Sequence, residues 1–444
     1  MVDSATDGRP NRLSSYWMPY TANRAFQRQP RMIVGAEGLH YITEDGRRVL
    51  DATSGLYCVN AGHGNPAIVS AIQKAAGELD YAPAFQFGHP QAFELASRLA
   101  LLAPDGLEHV FFANSGSEAV DTAMKIALAY HRANGEGQRT RFIGRERGYH
   151  GVGFGGMAVG GIPGNRKAFG QMLPGVDHLA STYNRERQAF SVGEPEWGEE
   201  LADELERVVA LHDASNIAAV IVEPVAGSTG CLPPPKGYLQ RLAKITEKHG
   251  ILLIFDEVIT AFGRLGGAFA ADRFGVRPNL ITFAKGITNG SVPLSGVMVE
   301  DRIYEALMQG PEHLPELYHG YTYSAHPLAV AAGLAALDVY RDKQLFERTG
   351  QMEAQFAAAM MQLRDAPHVV DIRPIGLMCG FDLAPADKGP GARGYEAMAR
   401  AFHEHDLYVR VAADTLVVAP PLISSVDDVQ EIVERIGRLL QTLN

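Results

Sequence analysis

The sequence predicts an α/β fold with a mostly parallel sheet between layers of helices. From about residue 65 onward, short apolar runs alternate with longer helical stretches, an order typical of a parallel sheet covered on both faces. The apolar runs are almost uninterrupted, as expected for strands that are buried on both faces. Because a length of 444 residues exceeds one ordinary core, we expect one large and one smaller domain.

The predicted elements assign the two ends of the chain to the smaller domain. Residues 1–60 contain two predicted strands, Leu39–Ile42 and Arg48–Asp51. The predicted strands of the large domain are Val110–Ala113, Arg141–Gly144, Ala218–Val222, Leu252–Asp256, Leu280–Ala284 and Ser295–Val299. The predicted helices include Ser117–Ala133, Tyr238–His249, Leu328–Arg341 and Val426–Leu443. We therefore predict that residues 61–329 form the large domain and that residues 1–60 and 330–444 together form the smaller one.

Composition and charge exclude several classes of function. The net charge is −11, from 51 acidic against 40 basic residues, with no basic block, so we expect neither nucleic acid nor an anionic membrane as a partner. The three scattered cysteines give no disulfide framework and no metal-binding pair. The polar N-terminus lacks an apolar signal core, and no apolar stretch approaches the roughly 20 residues of a membrane helix. These features predict a cytoplasmic protein.

A carboxylate and a lysine each end an apolar run. Asp256 follows Ile251–Phe255, and Lys285 follows Leu280–Ala284. In open α/β sheets, ligands bind at the carboxyl ends of the strands. A lysine there can form a Schiff base with a carbonyl, and a fixed carboxylate can keep a pyridinium nitrogen protonated, which together meet the needs of pyridoxal 5′-phosphate (PLP) chemistry. The alternative is a buried ion pair between adjacent strands.

The segment after the strand at Val110–Ala113 has the features of a phosphate site. Ser115 and Glu118 have the spacing of a capping box, and Gly116 allows close approach of the backbone. The free amides of a helix N-terminus suit a phosphate, and the hydroxyls of Ser115 and Ser117 could assist. The alternative is an ordinary capped helix.

Other residues could contact a pyridine ring at the same sheet edge. Tyr149 and His150 closely follow the strand that begins at Arg141, and an aromatic face can stack on such a ring. Val258 lies just beyond Asp256 and could cover the other ring face, as could the adjacent Ile259. A packed loop aromatic is the alternative for Tyr149.

Two further motifs are interpreted as coincidental. Gly151, Gly153 and Gly156 match the dinucleotide-binding pattern, with Asp177 about where a ribose ligand is expected. We expect no helix to open after these glycines, so a nicotinamide dehydrogenase is not favoured. The cluster His403–Asp406 resembles a metal site, but adjacent residues of a helix point to different faces. We therefore predict no metal site.

Several motifs, in this order along the chain, resemble those of class III aminotransferases. They are Phe111–Ala119, Tyr149-His150, Glu223-Pro224, Phe255–Val258, Ala284–Gly286 and Gly320–Pro327. The segments Trp17–Asn23 and Gly148–Val152 resemble the ω-amino acid:pyruvate branch of that family. The resemblance extends over nearly the whole chain. It implies the aspartate-aminotransferase-like fold (PLP fold type I) and a homodimer or homotetramer whose active site lies at the subunit interface.

The resemblance also implies roles for residues at the cofactor. Lys285 would hold the cofactor as a Schiff base and move the proton during transfer, and Asp256 would pair with the ring nitrogen. Ser115, Gly116 and Ser117 would bind the phosphate, with Thr322 from the partner subunit. The full set of implied cofactor-binding residues is Ser115, Gly116, Ser117, Tyr149, His150, Glu223, Asp256, Val258, Lys285, Tyr321 and Thr322.

For the substrate, the resemblance implies a movable arginine at Arg410. This residue would bind a substrate carboxylate and swing aside for an uncharged group. The other implied substrate-binding residues are Tyr20, Tyr57, Phe85, Tyr149, Ala226 and Ile259. Tyr57 departs from the branch, which usually has tryptophan there, and the smaller side chain is expected to enlarge the pocket and alter the range of amines.

The expected function is transfer of an amino group from an ω-amino acid or primary amine to pyruvate. The products would be L-alanine and an aldehyde, semialdehyde or ketone. An aminomutase, decarboxylase or racemase of the same fold is the alternative within PLP enzymes. A non-catalytic binding protein is disfavoured because both Lys285 and Asp256 are present.

Overall fold

The computed structural model describes residues 13–170 and 172–443, and a seven-stranded sheet lies at its centre. The strands of the described residues are β1 (Ile33–Glu37), β2 (His40–Thr43), β3 (Arg48–Asp51), β4 (His109–Ala113), β5 (Arg141–Arg145), β6 (Val176–Leu179), β7 (Ile217–Val222), β8 (Leu252–Asp256), β9 (Leu280–Phe283), β10 (Ser295–Val299), β11 (Val369–Ile375), β12 (Met378–Leu383), β13 (Leu407–Tyr408), β14 (Arg410–Ala412) and β15 (Thr415–Val418). The order across the central sheet is β4-β10-β9-β8-β7-β5-β6. Only β10 runs antiparallel to its neighbours, so the predicted mostly parallel sheet is confirmed.

Helices cover this sheet and connect its strands. The longer ones are α1 (Pro66–Glu78), α2 (Pro90–Leu102), α3 (Gly116–Ala133), α4 (Glu204–His212), α5 (Tyr238–Lys248), α6 (Pro327–Asp342), α7 (Leu345–Met361), α8 (Ala392–Glu404) and α9 (Val426–Leu440). Shorter helices span Asn23–Arg28, Ser54–Tyr57, Phe154–Val159, Pro163–Lys167, Arg185–Gln188, Ala270–Phe274 and Asp301–Leu307. None of the helices in the described part of the chain has both the length and the apolar character to cross a membrane.

The apolar run of β8 shows why the central strands contain few polar residues. Leu252 and Ile254 pack into a buried cluster that includes Val120 of α3. Leu253 and Phe255 point the other way and join the larger buried cluster. Since successive side chains of a strand point to opposite faces, both faces of this strand are in the core.

The two ends of the chain share a second sheet, of order β1-β2-β3-β13. Leu407 and Tyr408 of β13 pair in parallel with Leu50 and Asp51 of β3. A third sheet, of order β11-β12-β15-β14, belongs entirely to the C-terminal part. This pairing agrees with a smaller domain built from both ends, although the division at residues 60 and 330 stays a prediction.

One local expectation was wrong, because a helix does open within the glycine-rich segment. Phe154–Val159 is helical, and it packs so closely on β5 that a Cβ at Gly144 would lie 2.0 Å from the Val159 carbonyl oxygen. Glycine therefore serves close packing here. Asp177 pairs with Arg141 at 2.6 Å and with His212 at 3.2 Å, so its carboxylate has structural partners.

Candidate active site

Two adjoining cavities lie at the carboxyl edge of the central sheet. The inner cavity, of about 120 Å³, is lined by Gly116, Ser117, Tyr149, His150, Gly151, Glu223, Ser228, Asp256, Val258, Ile259, Ala284 and Lys285. The outer cavity, of about 540 Å³, is lined by Tyr20, Leu56, Tyr57, Arg147, Tyr149, Gly161, Ile162, Pro163, Asn165, Ser228, Thr229, Lys285, Arg410, Ala412 and Ala413. Tyr149, Ser228 and Lys285 line both. The carboxyl ends of β5, β7, β8 and β9 thus bring most of the predicted site residues together.

Asp256 is buried at the end of β8 and is held by three donors. Its Oδ1 accepts hydrogen bonds from the Val258 amide and the Thr282 hydroxyl, both at 3.1 Å. Its Oδ2 lies 2.8 Å from His150 Nδ1. His150 is 1% exposed, and its Nε2 has no hydrogen-bond partner among the described residues. His150 therefore contributes to the site by orienting the carboxylate.

Lys285 lies in a strained turn directly after β9. Its φ of 51° is in the left-handed region, which non-glycine residues adopt only when the surroundings enforce it. The turn is held by the Tyr340 hydroxyl, which donates to the Gly286 carbonyl at 2.5 Å. Within the described residues, Nζ has no hydrogen bond and no ion pair with Asp256, so the alternative of a structural ion pair is wrong. The amine is available to a ligand.

The start of α3 exposes backbone amides beside the inner cavity. The Ser115 hydroxyl accepts from the Glu118 amide at 3.2 Å, as the capping box predicts. The reciprocal bond of a capping box would run from the Ser115 amide to the Glu118 carboxylate. That carboxylate instead accepts from the Asn114 amide at 2.8 Å. This arrangement leaves the Ser115 amide uncapped by Glu118. A Cβ at Gly116 would lie 3.1 Å from two Val258 atoms, so glycine lets Val258 pack closely against this turn.

Glu223 organises the backbone around the inner cavity. Its carboxylate accepts hydrogen bonds from the amides of Tyr149 at 2.8 Å and Gly227 at 3.1 Å. Burial raises the pKa of Glu223 to about 7; nearby His150 opposes this rise and the Asp256 charge adds to it. Glu223 thus fixes both the aromatic residue and the loop that carries Ser228.

Tyr57 and Arg410 meet on the wall of the outer cavity. Arg410 Nη1 donates to the Ser228 carbonyl at 3.2 Å and lies 3.5 Å from the Tyr57 hydroxyl. Tyr57 is 2% exposed and donates to the Gly227 carbonyl at 3.1 Å. Because burial raises the pKa of Tyr57 to about 12, its hydroxyl stays neutral and can accept from Arg410.

Several predicted residues lie outside both cavities of their own chain. Ser115 faces its helix cap, and Ala226 pairs through its backbone with Leu232. Phe85 is 55% exposed and packs on Gly320. Tyr321 and Thr322 also lie outside both cavities.

The segment of Tyr321 and Thr322 lies beside α3. The Tyr321 hydroxyl lies 3.3 Å from both the Glu118 carbonyl and the Thr122 hydroxyl. Thr322 is exposed, and its carbonyl accepts from the Tyr81 hydroxyl at 3.0 Å. Neither side chain lines a cavity of its own chain.

Some residues at the site cannot be predicted from the sequence, because their placement depends on neighbouring strands and loops. Thr282 faces Asp256 across the parallel pair of β8 and β9, a register that the apolar pattern alone does not specify. Arg147, Gly151, Ser228 and Ala284 also line the cavities. The only sequence signal for them is their proximity to residues that were singled out.

Comparison with known proteins identifies the family. The class III aminotransferase model matches residues 21–440. An ω-aminotransferase of Caulobacter vibrioides is 59% identical over 97% of this chain and 98% of its own. A β-alanine–pyruvate aminotransferase of Pseudomonas aeruginosa is 48% identical over 96% of each. The solved ω-transaminase of Pseudomonas jessenii in complex with PMP has a TM-score of 0.91 and 32% identity, covering 97% of this chain and 96% of that one.

The fold and the site define a PLP-dependent transaminase of fold type I, which acts on an amine and a keto acid. More narrowly, the chain belongs to the class III aminotransferase family. The residues present fit this cofactor. A free lysine amine, a buried carboxylate with its orienting histidine, and a glycine cradle at a helix N-terminus all border the inner cavity.

Proposed function

We propose that this chain transfers an amino group from an ω-amino acid or primary amine to pyruvate. The products are L-alanine and an aldehyde, semialdehyde or ketone. The observation that carries the proposal is Arg410, which lines the same cavity as Lys285 and, among the described residues, has no carboxylate within 4 Å. A substrate carboxylate would supply the missing partner. The names of the relatives from Caulobacter vibrioides and Pseudomonas aeruginosa support this choice of substrates.

Residues of the inner cavity hold the cofactor in this proposal. Gly116 and Ser117 of this cavity, together with Ser115 at the preceding helix cap, would bind its phosphate through the amides and hydroxyls at the start of α3. Asp256 binds the ring nitrogen. When bound, PLP supplies the electron sink for transamination.

The other inner-cavity residues cover the ring and move the proton. Tyr149 would stack on one face of the cofactor ring and Val258 would cover the other. Lys285 Nζ would accept the proton from the substrate carbon that carries the amine and would hold it for return. Ile259 and the orienting pair Glu223 and His150 complete the walls.

The keto acid has a carboxylate beside its reacting carbon, whereas an amine donor can have an uncharged group there. Arg410 adapts the site to both substrates. A fixed cation would bind the keto acid but would be left desolvated against a neutral amine, which costs free energy. An arginine that moves binds a carboxylate bidentately when it points in and is solvated when it points out. Tyr20 lines the pocket for the remainder of the substrate, and Phe85 contributes to it from a second copy of the chain. Ala226 lies in the loop that carries Ser228.

The proposed assembly is a homodimer or homotetramer with the site at the subunit interface. Thr322 and Phe85 are exposed and outside the cavities of their own chain, as expected if each completes the site of a second copy. Other aromatics share this surface: Tyr323 is 59% exposed, and its ring centroid lies 6.1 Å from that of Tyr81. Exposed aromatic surface of this kind is typical of interaction sites. Light scattering on purified protein tests the assembly, and a fully active monomer would contradict it.

A panel of amine donors with pyruvate as acceptor tests the proposed reaction. Purified enzyme is incubated with ¹⁵N-labelled ω-amino acids and primary amines, and labelled alanine is measured by mass spectrometry. Label should appear in alanine for at least one donor of these classes. If the protein binds PLP but no donor labels alanine, the proposed transfer to pyruvate is wrong.

A further inference from the structure

We propose that Arg147 is a second carboxylate-binding residue of the substrate cavity, which binds the distal carboxylate of longer ω-amino acids. This inference rests on the proposed function. Arg147 lines the outer cavity together with Arg410 and Lys285. The two arginines are attached to consecutive carbonyls of one loop, since Arg410 donates to Ser228 and Arg147 Nη2 donates to Thr229 at 3.0 Å.

The backbone of Arg147 is held in one conformation. Its φ of 62° lies in the left-handed region, its amide donates to the Gly161 carbonyl at 3.0 Å, and its carbonyl accepts from the Thr229 hydroxyl at 2.8 Å. Two hydrogen bonds thus join Arg147 and Thr229, one from the guanidinium to the Thr229 carbonyl and one from the Thr229 hydroxyl to the Arg147 carbonyl. A recognition group that is positioned before the ligand arrives loses little entropy on binding.

The guanidinium of Arg147 lacks an anionic partner, unlike that of its neighbour Arg373. Both lie over the ring of Tyr183, at 5.1 and 4.6 Å from its centroid. Arg373 forms ion pairs with Asp371 and Asp382. Within the described residues Arg147 has no carboxylate within 4 Å, and burial lowers its pKa. A substrate carboxylate would therefore satisfy a half-buried cation.

The position of Arg147 indicates the far end of a substrate. Ser228, which anchors Arg410, lines both cavities, whereas Thr229, which anchors Arg147, lines only the outer one. At about 540 Å³, the outer cavity is within the roughly 300–1,000 Å³ of sites for drug-sized ligands, and so exceeds the need of a three-carbon substrate. Apolar residues also line it, namely Leu56, Ile162, Pro163, Ala412 and Ala413. This combination suits a methylene chain that ends in a carboxylate.

The test compares matched donors in wild-type protein and Arg147→Gln. Six-carbon ω-amino acid and n-hexylamine serve as donors, with pyruvate as acceptor and alanine as readout. Loss of a charge-assisted bond should lower kcat/KM for the ω-amino acid at least about tenfold, mainly through KM, and leave hexylamine within about twofold. Arg147→Lys, which keeps the charge, should retain part of the preference. Hexanedioate, which has no amine to transfer, should raise the Tm of wild-type protein more than that of Arg147→Gln.

Controls separate this proposal from a structural role. Arg187→Gln is the control, because Arg187 lies outside both cavities and its guanidinium lies 4.7 Å from the Trp197 ring centroid. In this variant, kcat/KM should be unchanged for both donors. Equal losses of kcat/KM for both donors in Arg147→Gln would overturn the proposal, since Arg147 would then only balance the charge of the Asp371–Asp382 cluster. No loss for either donor would also overturn it, since Arg147 would then serve no ligand. If wild-type protein gives alanine from shorter ω-amino acids or other amines but not from the six-carbon ω-amino acid, the proposal for Arg147 is overturned; if no donor of the panel gives alanine, the proposed function itself fails.

Discussion

The inner and outer cavities share three residues but are built on different principles. In the inner cavity the acidic groups are buried and hydrogen-bonded: Asp256 has three partners and Glu223 has two backbone amides. In the outer cavity, Arg147 and Arg410 are attached only to neutral groups, and Tyr20 is 74% exposed. A site that holds one constant group can be rigid and saturated, whereas a site for two substrates of different charge needs groups whose partners are exchanged.

The largest effect is expected at Lys285, one of the three residues that the two cavities share. Lys285→Ala should abolish turnover and the visible absorbance band of the bound cofactor, because no other lysine lines either cavity within the described residues. The fold should persist, since Nζ has no protein partner in the described part of the chain. Absorbance spectra, circular dichroism and the alanine assay check this. A variant that keeps both the band and turnover would show that another amine does the work.

Within the inner cavity, Asp256→Asn should cost about 10²-fold or more in kcat, because it removes a buried charge that faces the proposed ring nitrogen. Thr282→Val removes only one of the bonds to Asp256 and should cost about tenfold or less. Steady-state kinetics on the two variants give the ratio. Equal losses would mean that the placement of the carboxylate matters as much as its charge.

In the outer cavity, Arg410→Ala should separate the two half-reactions. We expect amination of pyruvate to fall about 10- to 100-fold, while the half-reaction with a neutral amine changes little, because only the keto acid presents a carboxylate. Stopped-flow spectra of each half-reaction measure the two rates. Equal losses in both would remove the distinction between the cavities.

The smallest effect is expected for Tyr57→Phe, which removes a hydroxyl that lies 3.5 Å from Arg410 Nη1. The KM for pyruvate should rise about two- to fivefold, as expected for one weak neutral contact to a charged group. Tyr395→Phe, at a position that is 36% exposed and outside both cavities, is the matched control. An unchanged KM for pyruvate would show that Ser228 alone anchors the arginine.

The sequence predicted the parts of the site that are encoded locally. Asp256 and Lys285 were found because each ends an apolar run, and such runs report burial without knowledge of their neighbours. The partners of Asp256 were not predicted as such. Thr282 lies opposite it only because β8 pairs with β9, and His150 reaches it from 106 residues away. Residue pairs of this kind depend on strand order and register.

The helix Phe154–Val159 is an element that the local sequence argued against. Its glycines argue against a helix by intrinsic propensity, yet close packing leaves no room for a side chain at two of the glycines. A Cβ at Gly144 of β5 would lie 2.0 Å from the Val159 carbonyl oxygen, and a Cβ at Gly156 would lie 2.1 Å from the His150 carbonyl oxygen. Tertiary contact thus outweighed local preference. Local preference is worth about 1 kcal/mol per glycine, which is small beside the burial of a helix face.

The sequence by itself determined the α/β class, the strands that end in Asp256 and beside Lys285, and the helix start that follows Ser115. These features follow from periodicity and capping, which act over a few residues. Only the tertiary structure decided that Ser228 and Thr229 anchor two arginines, and that Phe85 lies outside the cavities of its own chain. The reason is physical: a cavity is bounded by loops from distant parts of the chain, and their packing is set by the whole fold.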